Sequence, residues 1–319
     1  MQLATLEHMK TCNGAMSKNC PVLLVGGGGF IGGALAASLI EDGREVHILS
    51  RTIYANTPAG AVWHIGDQGD RGVLRPLLEH CGQVVHLAAA TTPGDTVWNP
   101  RAELELNLLA SIGFIECLQE FPDTRLLFLS SGGSLYGNIY QADEETIPLP
   151  SSYHGAAKLA LETFLSVLGQ RRSGAVTILR PSNIYGPGQR LKHGFGVIRT
   201  LLERARDSSE VTIWGDGSAV RDYLYIDDMV AACRCALDGP AGVYNLGAGT
   251  GTSLNTLIAL IGEVTGQTLK VTYHPARASD VGNIVLSVQK AKQILGWEAM
   301  IPLQEGIART WRELFEVPE

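Results

Sequence analysis

The sequence lacks the features that would place it in a membrane, on a nucleic acid or outside the cell. It has no run of about 18 apolar residues, the length that a membrane-spanning helix needs. Its 25 basic and 32 acidic residues give a net charge of −7, and neither sign is gathered into a patch. The N-terminal segment Met1 to Lys18 has no apolar core of signal-peptide length. We therefore expect a cytoplasmic protein with no membrane or nucleic-acid partner.

Cysteine pairs with zinc spacing are also missing. The six cysteines are scattered through 319 residues, and none belongs to a Cys-x-x-Cys pair. His193 has no carboxylate or histidine at ligand spacing, so we expect it at a surface or at the rim of a substrate site. Free thiols and no metal site are the expectation. Internal repeats and low-complexity tracts are absent, and the chain is long enough for one large or two ordinary domains.

What the sequence does contain is a glycine-rich turn between a strand and a helix. An apolar run over 21–25 leads into the turn, and helical residues over 34–40 follow it. The three spaced glycines are Gly26, Gly29 and Gly32. The first allows a tight turn, the second leaves the backbone open to a pyrophosphate, and the third lets the helix lie close on its strand. The N–H groups at the start of the helix attract anions, so this pattern predicts a dinucleotide site, with Phe30 and Ile31 among its cofactor contacts.

Strand-like and helix-like segments then alternate along the chain. Further strands are predicted over 45–49, 61–65, 83–87, 125–129 and 175–179. Helices are predicted between them near 70–79, 101–120 and 154–170. Later segments predict a helix from Val197 and two strands of a smaller domain, over 211–214 and 242–246. The alternation indicates the α/β class, with a doubly wound parallel sheet joined by right-handed crossovers.

Residues that follow the strands are the candidates for cofactor binding, because ligands of such sheets lie at the carboxyl ends of the strands. Ser50 and Arg51 follow the second strand, where the acidic residue that would bind an NAD ribose is absent. Arg51 can meet the 2′-phosphate of NADP instead, so NADP is slightly favoured and NAD stays open. Asp67 and Gln68 follow the third strand and are placed to address an adenine amino group.

These segments, in this order, resemble the extended short-chain dehydrogenase/reductase family. Besides the glycine turn, the matching segments are Gly66–Asp67, His86–Ala89, Asn107, Ser130–Gly137, Arg180–Pro187 and Gly215–Asp222. The closest subgroup is that of the NAD-dependent epimerase/dehydratases of nucleotide sugars, of the UDP-glucose 4-epimerase type. The resemblance extends from about Pro21 to Trp311.

The resemblance implies a Rossmann domain over 18–182, after an extension over 1–17, and a nucleotide-sugar domain mainly over 183–319. Part of 215–245 is expected to pack on the first domain. The further cofactor contacts that the resemblance implies are Leu87, Ala88, Ala89, Asn107, Lys158 and Pro181. The diphosphate of the sugar substrate is assigned to Asn183, Arg221 and Arg277. A homodimer is expected, built from the helices near 101–120 and 154–170 as a four-helix bundle.

The catalytic pattern departs from the family. Its chemistry uses a tyrosine and, four residues later, a lysine on one helix face. Lys158 matches, but the residue four positions before it is His154, and Tyr153 is five positions before it. Three interpretations stay open. His154 works as the acid/base, because an imidazole beside the Lys158 charge is driven toward its neutral form. The protein has lost turnover but kept its ligands. Or an unwound helix start carries Tyr153 into place.

The hydroxyl residue that the family carries after the fifth strand is also replaced. Gly132 stands at that position. Ser134 is the first substitute, because in an extended chain it would lie on the same side, and Ser131 is the second. Gly133 and Ser134 replace the acidic pair that nucleotide-sugar dehydratases use, so dehydration is disfavoured.

These residues predict a nucleotide-sugar epimerase that oxidises and reduces the sugar at C4 through a bound nicotinamide. One alternative is an NADPH-dependent 4-keto reductase. Another, from a different class, is a binding protein that holds dinucleotide and nucleotide sugar without turnover. Polysaccharide biosynthesis is the expected setting.

Overall fold

The computed structural model describes residues 20–53, 58–91, 99–192, 195–276 and 282–316. The predicted extension over 1–17, His193 and Arg277 lie outside these ranges, so those predictions remain predictions.

The strands of the described residues are β1 (Val22–Val25), β2 (Val46–Ser50), β3 (Val62–Ile65), β4 (Gln83–His86), β5 (Arg125–Leu129), β6 (Ile139–Ala142), β7 (Val176–Pro181), β8 (Asn183–Tyr185), β9 (Val211–Trp214), β10 (Val220–Arg221), β11 (Tyr223–Tyr225), β12 (Val243–Leu246), β13 (Thr252–Ser253), β14 (Val271–His274) and β15 (Asn283–Leu286). The α-helices are α1 (Phe30–Glu41), α2 (Arg71–His80), α3 (Pro100–Glu103), α4 (Leu109–Leu118), α5 (Gly132–Leu135), α6 (Tyr153–Gly169), α7 (Val197–Arg206), α8 (Ile226–Asp238), α9 (Leu254–Thr265) and α10 (Leu303–Phe315). Two π-helical segments are π1 (Leu104–Leu108) and π2 (Ala291–Leu295).

Seven parallel strands form the central sheet, in the order β12-β7-β5-β4-β1-β2-β3. Several are continuous apolar runs because helices cover both faces; all four residues of β1 are buried. The predicted α/β class and doubly wound parallel sheet are confirmed. The strand predicted over 242–246 exists, but its assignment to the smaller domain is wrong, since β12 pairs with β7 and closes one edge of the central sheet.

The two faces of the sheet bury separate clusters, because successive side chains of a strand point to opposite sides. Leu24 of β1 packs in the cluster that includes Leu35 of α1 and Met229 of α8. Leu23 of the same strand packs in the cluster that includes Leu74 of α2 and Leu165 of α6. The helices predicted near 70–79, 101–120 and 154–170 therefore all lie on one face of the sheet, and α1 and α8 lie on the other.

Smaller sheets occupy the C-terminal part of the chain. One has the order β13-β10-β15-β6, and two-stranded pairs form between β8 and β11 and between β9 and β14. Strand β6 comes from the first half of the sequence, and it pairs with β15 from the end. None of the helices in the described ranges has the length and apolarity required to cross a bilayer.

The glycine turn is shorter than predicted. Helix α1 starts at Phe30, four residues before the predicted helical stretch. Gly26 has a φ of +81°, in the region that only glycine adopts readily. A Cβ on Gly32 would lie 2.5 Å from the Cα of Gly27, so this glycine lets the helix approach the turn itself.

Two adjacent glycines of α1 provide a matched test of this packing. Gly32→Ala should lower the free energy of unfolding by about 1–3 kcal/mol, because backbone must move to admit the methyl group. Gly33→Ala should raise it by about 0.5–1 kcal/mol, since no atom of the described residues lies within 4 Å of the added Cβ and alanine favours a helix. Urea denaturation of both variants measures the difference. Equal stabilities would contradict the close approach of helix and turn.

Candidate active site

The carboxyl ends of the parallel strands meet along one edge of the central sheet. Gly26 follows β1, and Ser50 ends β2 beside it. Leu87 follows β4 and donates its backbone N–H to the carbonyl of Val25 at 2.8 Å. Pro181 ends β7 on the other side of β5. The residues predicted from separate strands are therefore brought together at one edge.

The glycine turn has the shape of an anion cradle. A Cβ on Gly26 would lie 2.6 Å from the Cα of Ala88, so the turn closes against the segment after β4. Among the described residues, a Cβ on Gly29 would meet only the carbonyl oxygen of Gly26, at 3.6 Å, so these residues leave that face of the turn open. Helix α1 has no side-chain cap and no acidic residue in its first turn. Its N–H groups and dipole are left for a ligand, and these features fit a dinucleotide pyrophosphate.

The residues predicted to bind the adenosine end lie at the ends of β2 and β3. Arg51 is exposed and Ser50 is half-buried. Asp67 accepts a hydrogen bond from the N–H of Gly69 at 2.8 Å, which shapes the loop. The Oε1 atom of Gln68 is buried and has no hydrogen-bond partner among the described residues. An unsatisfied amide oxygen beside a ligand site is suited to accept from a ligand donor such as an amino group.

A buried polar cluster supports the loop after β4. The Oδ1 atom of Asn107 accepts the N–H of Ala90 at 2.7 Å, and its Nδ2 atom donates to Thr91 and Glu103. Thr91 in turn donates to Glu103 at 2.5 Å. Glu103 ends α3, and Asn107 lies four residues later within π1, and both side chains are buried. Asn107 therefore anchors the segment that follows Ala88 and Ala89.

Helix α6 presents three ionisable side chains on one face, one turn apart. His154, Lys158 and Glu162 are all buried, because residues four apart differ by only about 40° around a helix. Ser152 caps the helix by accepting the N–H of Gly155 at 3.1 Å. Helical geometry thus continues back to Tyr153, whose side chain is 43% exposed. The structure shows no unwound start at this helix, and it does not bring Tyr153 beside Lys158.

His154 contacts the carboxylate of Glu103, a residue that no sequence pattern predicted to be functional. Its Nδ1 atom lies 3.4 Å from the Oε1 atom of Glu103, and both side chains are at least 90% buried. Segments α3 and π1 pack against α6 and carry Glu103 to this position. The available signal in the sequence was the spacing of Glu103 and Asn107, four residues apart on a predicted helix with an otherwise apolar inner face.

Lys158 is held in the interior beside the end of β5. Its Nζ atom donates to the carbonyl oxygen of Leu129 at 2.8 Å and lies 4.9 Å from the centre of the Phe128 ring. Burial lowers the pKa of Lys158 to about 8, and the charges of Glu103 and Glu162 oppose part of that decrease. The ammonium therefore loses its proton as the pH rises through about 8.

A second polar cluster surrounds Glu162, one turn after Lys158 on the same face of α6. Arg180 of β7 donates to both carboxylate oxygens of Glu162, with a shortest N–O distance of 2.6 Å. Arg180 also donates to the hydroxyl of Tyr136 at 2.7 Å, and that hydroxyl donates to Asn245 at 2.8 Å. Ser130 completes the cluster by donating to Glu162. These hydrogen bonds connect α6, β7 and β12 in the helical turn that follows Lys158.

The two serines proposed as hydroxyl donors lie at the start of the short helix that follows β5. The assumption of an extended chain after β5 is wrong, since Gly132–Leu135 forms the short helix α5. Ser131 is the extended residue that precedes α5, Ser134 is the third residue of that helix, and their hydroxyl oxygens are 2.9 Å apart. A Cβ on Gly132 would lie 2.8 Å from the backbone carbonyl oxygen of Arg180, so this position favours glycine.

The predicted diphosphate contacts are partly described. Asn183 begins β8, and its Nδ2 atom donates to the carbonyl of Asp222 at 2.9 Å. Arg221 lies in β10, where its Nη1 atom donates to the carbonyls of Val220 and Gly282. Both residues are half-buried beside the smaller sheets.

Fold and site together define a Rossmann-type α/β protein in which His154 and Lys158 are buried on one helix and Lys158 reaches the carboxyl end of β5, at the sheet edge that also carries the glycine turn. Residues 22–247 match the sequence profile of the NAD dependent epimerase/dehydratase family, so the chain belongs to that family. The resemblance found in the sequence is therefore confirmed.

Solved structures and a curated relative agree with this assignment. A UDP-glucose 4-epimerase of Thermotoga maritima, solved with UDP-glucose, superposes with a TM-score of 0.88 at 32% identity, over 93% of this chain and 99% of that one. A UDP-glucose 4-epimerase of Thermus thermophilus, in complex with NAD, gives 0.85 at 32% identity, over 91% and 97%. A dTDP-4-dehydro-6-deoxyglucose reductase of Escherichia coli is 29% identical over 90% of this chain and 95% of its own length.

Proposed function

We propose that this protein is a nucleotide-sugar epimerase that acts at C4 of the sugar and uses NAD or NADP. The observation that carries the proposal is the pair of buried side chains, His154 and Lys158, one turn apart on α6 at the cofactor edge of the sheet. The similar epimerases solved with UDP-glucose and with NAD support both the class of substrate and the cofactor.

The cofactor would lie along the carboxyl edge of the sheet. Gly26, Gly29 and Gly32 would hold its pyrophosphate at the start of α1, and Lys158 would hold the nicotinamide ribose. The chemistry that this group supplies when bound is reversible hydride transfer at the sugar C4.

His154 would take the proton from the C4 hydroxyl and return it when the opposite face is reduced. Glu103 would orient the imidazole from its Nδ1 side, which leaves the other ring nitrogen for the sugar. The hydroxyls of Ser131 and Ser134 would donate to the C4 oxygen. Asn183, Arg221 and Arg277 would bind the diphosphate, since amide and guanidinium groups donate well to phosphate oxygens.

Replacing His154 tests the acid/base assignment. Mass spectrometry of small molecules released from the denatured protein first identifies a retained sugar nucleotide, and UDP-glucose is the starting assay substrate. His154→Gln should lower kcat by roughly 10²–10⁴-fold, the contribution of a general acid/base, while the affinities for cofactor and UDP change little. If Tyr153→Phe abolishes turnover and His154→Gln does not, the assignment is wrong. A gain of activity in His154→Tyr would favour a decayed site.

Glu103 is proposed as a positioning residue, and its removal should change how the rate depends on pH. Glu103→Gln should lower kcat by roughly 10–100-fold with little change in KM, because the imidazole loses the carboxylate that orients it. The acidic limb of the pH–rate profile should move to lower pH, since the protonated ring loses a nearby negative charge. Glu103→Asp should restore part of the rate. An unchanged profile in Glu103→Gln would contradict the role.

A reductase is the second candidate, and the similarity to the Escherichia coli reductase favours it. Reduction uses only the second half of the epimerase cycle and consumes cofactor. Stoichiometric oxidation of NADPH with a 4-keto sugar nucleotide would support it, whereas tightly retained cofactor supports epimerisation. Binding of both ligands without turnover would identify the third possibility, a binding protein.

The preference for NADP is tested at Arg51. Arg51→Ala should weaken NADP binding by about 10-fold or more, because a guanidinium–phosphate hydrogen bond contributes about 1.5–3 kcal/mol. NAD, which has no 2′-phosphate, should bind with nearly unchanged affinity and serves as the internal control. Calorimetric titration measures both. A parallel loss for NAD and NADP would contradict the assignment of Arg51 to the phosphate.

A homodimer is proposed from an apolar surface on the helices of one sheet face. Its members are between 46% and 56% exposed, and they are Leu104, Leu106, Leu109, Phe164 and Val167. The residues belong to π1, α4 and α6, the helices expected to form a four-helix bundle between two copies.

Substitution of one surface residue tests the dimer. Phe164→Glu should convert the protein to a monomer in light scattering, because a charge cannot be buried unpaired in an apolar interface. Met300→Glu is the matched control, since Met300 and Phe164 are both 49% exposed and Met300 lies outside the proposed interface. The proposal fails if wild type is monomeric or if both variants dissociate alike.

A further inference from the structure

Four titratable side chains meet near the amino end of β2, at the end of the sheet opposite the glycine turn. Glu45 precedes β2, His47 lies within it, His64 lies in the neighbouring β3, and His80 ends α2. His47 is buried, whereas Glu45 and His80 are exposed. None of these residues belongs to the candidate active site.

The carboxylate of Glu45 is the centre of the cluster. Its Oε1 atom lies 2.8 Å from Nε2 of His47 and 2.7 Å from Nε2 of His80. One potential ligand atom from each of the three residues lies within 4.8 Å of the others.

His64 supports the ring of His47 from behind. Its Nε2 atom lies 2.9 Å from Nδ1 of His47, and the two rings stack with centres 5.1 Å apart. A hydrogen bond at Nδ1 fixes the orientation of the ring and directs Nε2 toward Glu45. Metal-binding histidines commonly have such a partner on the second nitrogen.

We propose that Glu45, His47 and His80 form a binding site for a divalent transition-metal ion of the zinc type. Two imidazoles and one carboxylate are a known zinc donor set, and water would complete a tetrahedral shell. Metal–ligand bonds of about 2.0–2.1 Å require ligand atoms roughly 3.4 Å apart. The exposed side chains of Glu45 and His80 can move until their ligand atoms reach that separation, while the side chain of His47 is held in place by burial.

The bound ion would join the start of β2 to the end of α2. Glu45 and His47 are two residues apart and lie on the same side of an extended chain, whereas His80 is brought to them only by the packing of α2. This separation in sequence is why spacing alone predicted no metal site. Because the ion would lie at the far end of the strands, it should leave cofactor binding and turnover unchanged.

Calorimetric titration of the chelator-treated full-length protein with ZnCl₂ tests the site. Wild type should bind one ion in this cluster, and Glu45→Gln and His80→Gln should each bind it at least tenfold more weakly. His274→Gln removes an exposed histidine of β14 and is the matched control, with affinity expected to equal that of wild type. Substitution with Co²⁺ should give visible absorption bands that His80→Gln loses.

The proposal is overturned if wild type shows no saturable binding, or if both cluster variants bind as wild type does. Zinc should also raise the Tm of wild type and of His274→Gln but not that of His80→Gln, because only a ligand bound to the folded state stabilises it. Circular dichroism confirms that each variant is folded. These readouts involve no turnover, so failure of the metal site and failure of the proposed function are distinguishable.

Discussion

Burial of three ionisable side chains along one face of α6 is the constraint around which this site is built. An ionised group in the interior is tolerated only where a partner compensates for the lost water. Each turn of the helix meets that requirement differently: His154 contacts Glu103, Lys158 donates to the carbonyl of Leu129, and Glu162 pairs with Arg180. The partners come from three different elements, so the position of α6 on the sheet is fixed by polar contacts as well as apolar ones.

The π-helical segment between α3 and α4 belongs to the same arrangement. Glu103 directly precedes this segment and Asn107 lies within it; the first side chain lies 3.4 Å from His154, and the second holds the loop after β4. The candidate acid/base and the cofactor-side loop thus share one buried cluster. A substitution of Glu103 would affect both His154 and the loop after β4. Replacement with glutamine, which keeps the shape of the side chain, is therefore more informative than truncation.

Local patterns predicted most of the central sheet. Apolar runs between glycine and helix signals located β1 to β5 and β7 to within a few residues, because strands buried on both faces are nearly all apolar. The short strands β6, β8, β10, β13 and β15 gave no such signal, since their partners are distant in sequence and their pairing is a tertiary effect. Strand β12 was predicted but assigned to the smaller domain, because its pairing with β7 is likewise a tertiary effect.

The sequence identified individual residues of the candidate site better than it identified the contacts between them. Lys158 and His154 follow from helical spacing, and the structure places both on the buried face. The roles of Glu103 and Glu162 could not be obtained in this way, because a glutamate on a helix is most often solvated and only the packing of α3 and β7 against α6 reveals burial. The turn of α5 was likewise invisible to an argument that assumed an extended chain.

The exchange of strands between the two halves has a consequence for how the chain can be divided. A fragment ending at residue 182 would contain β7 without β12, so β7 would become an exposed edge strand of the central sheet. The complementary fragment would lack β6, the neighbour of β15. Each piece would present unpaired N–H and C=O groups that recruit other chains. The two halves therefore form one folding unit, and neither is suited to separate expression.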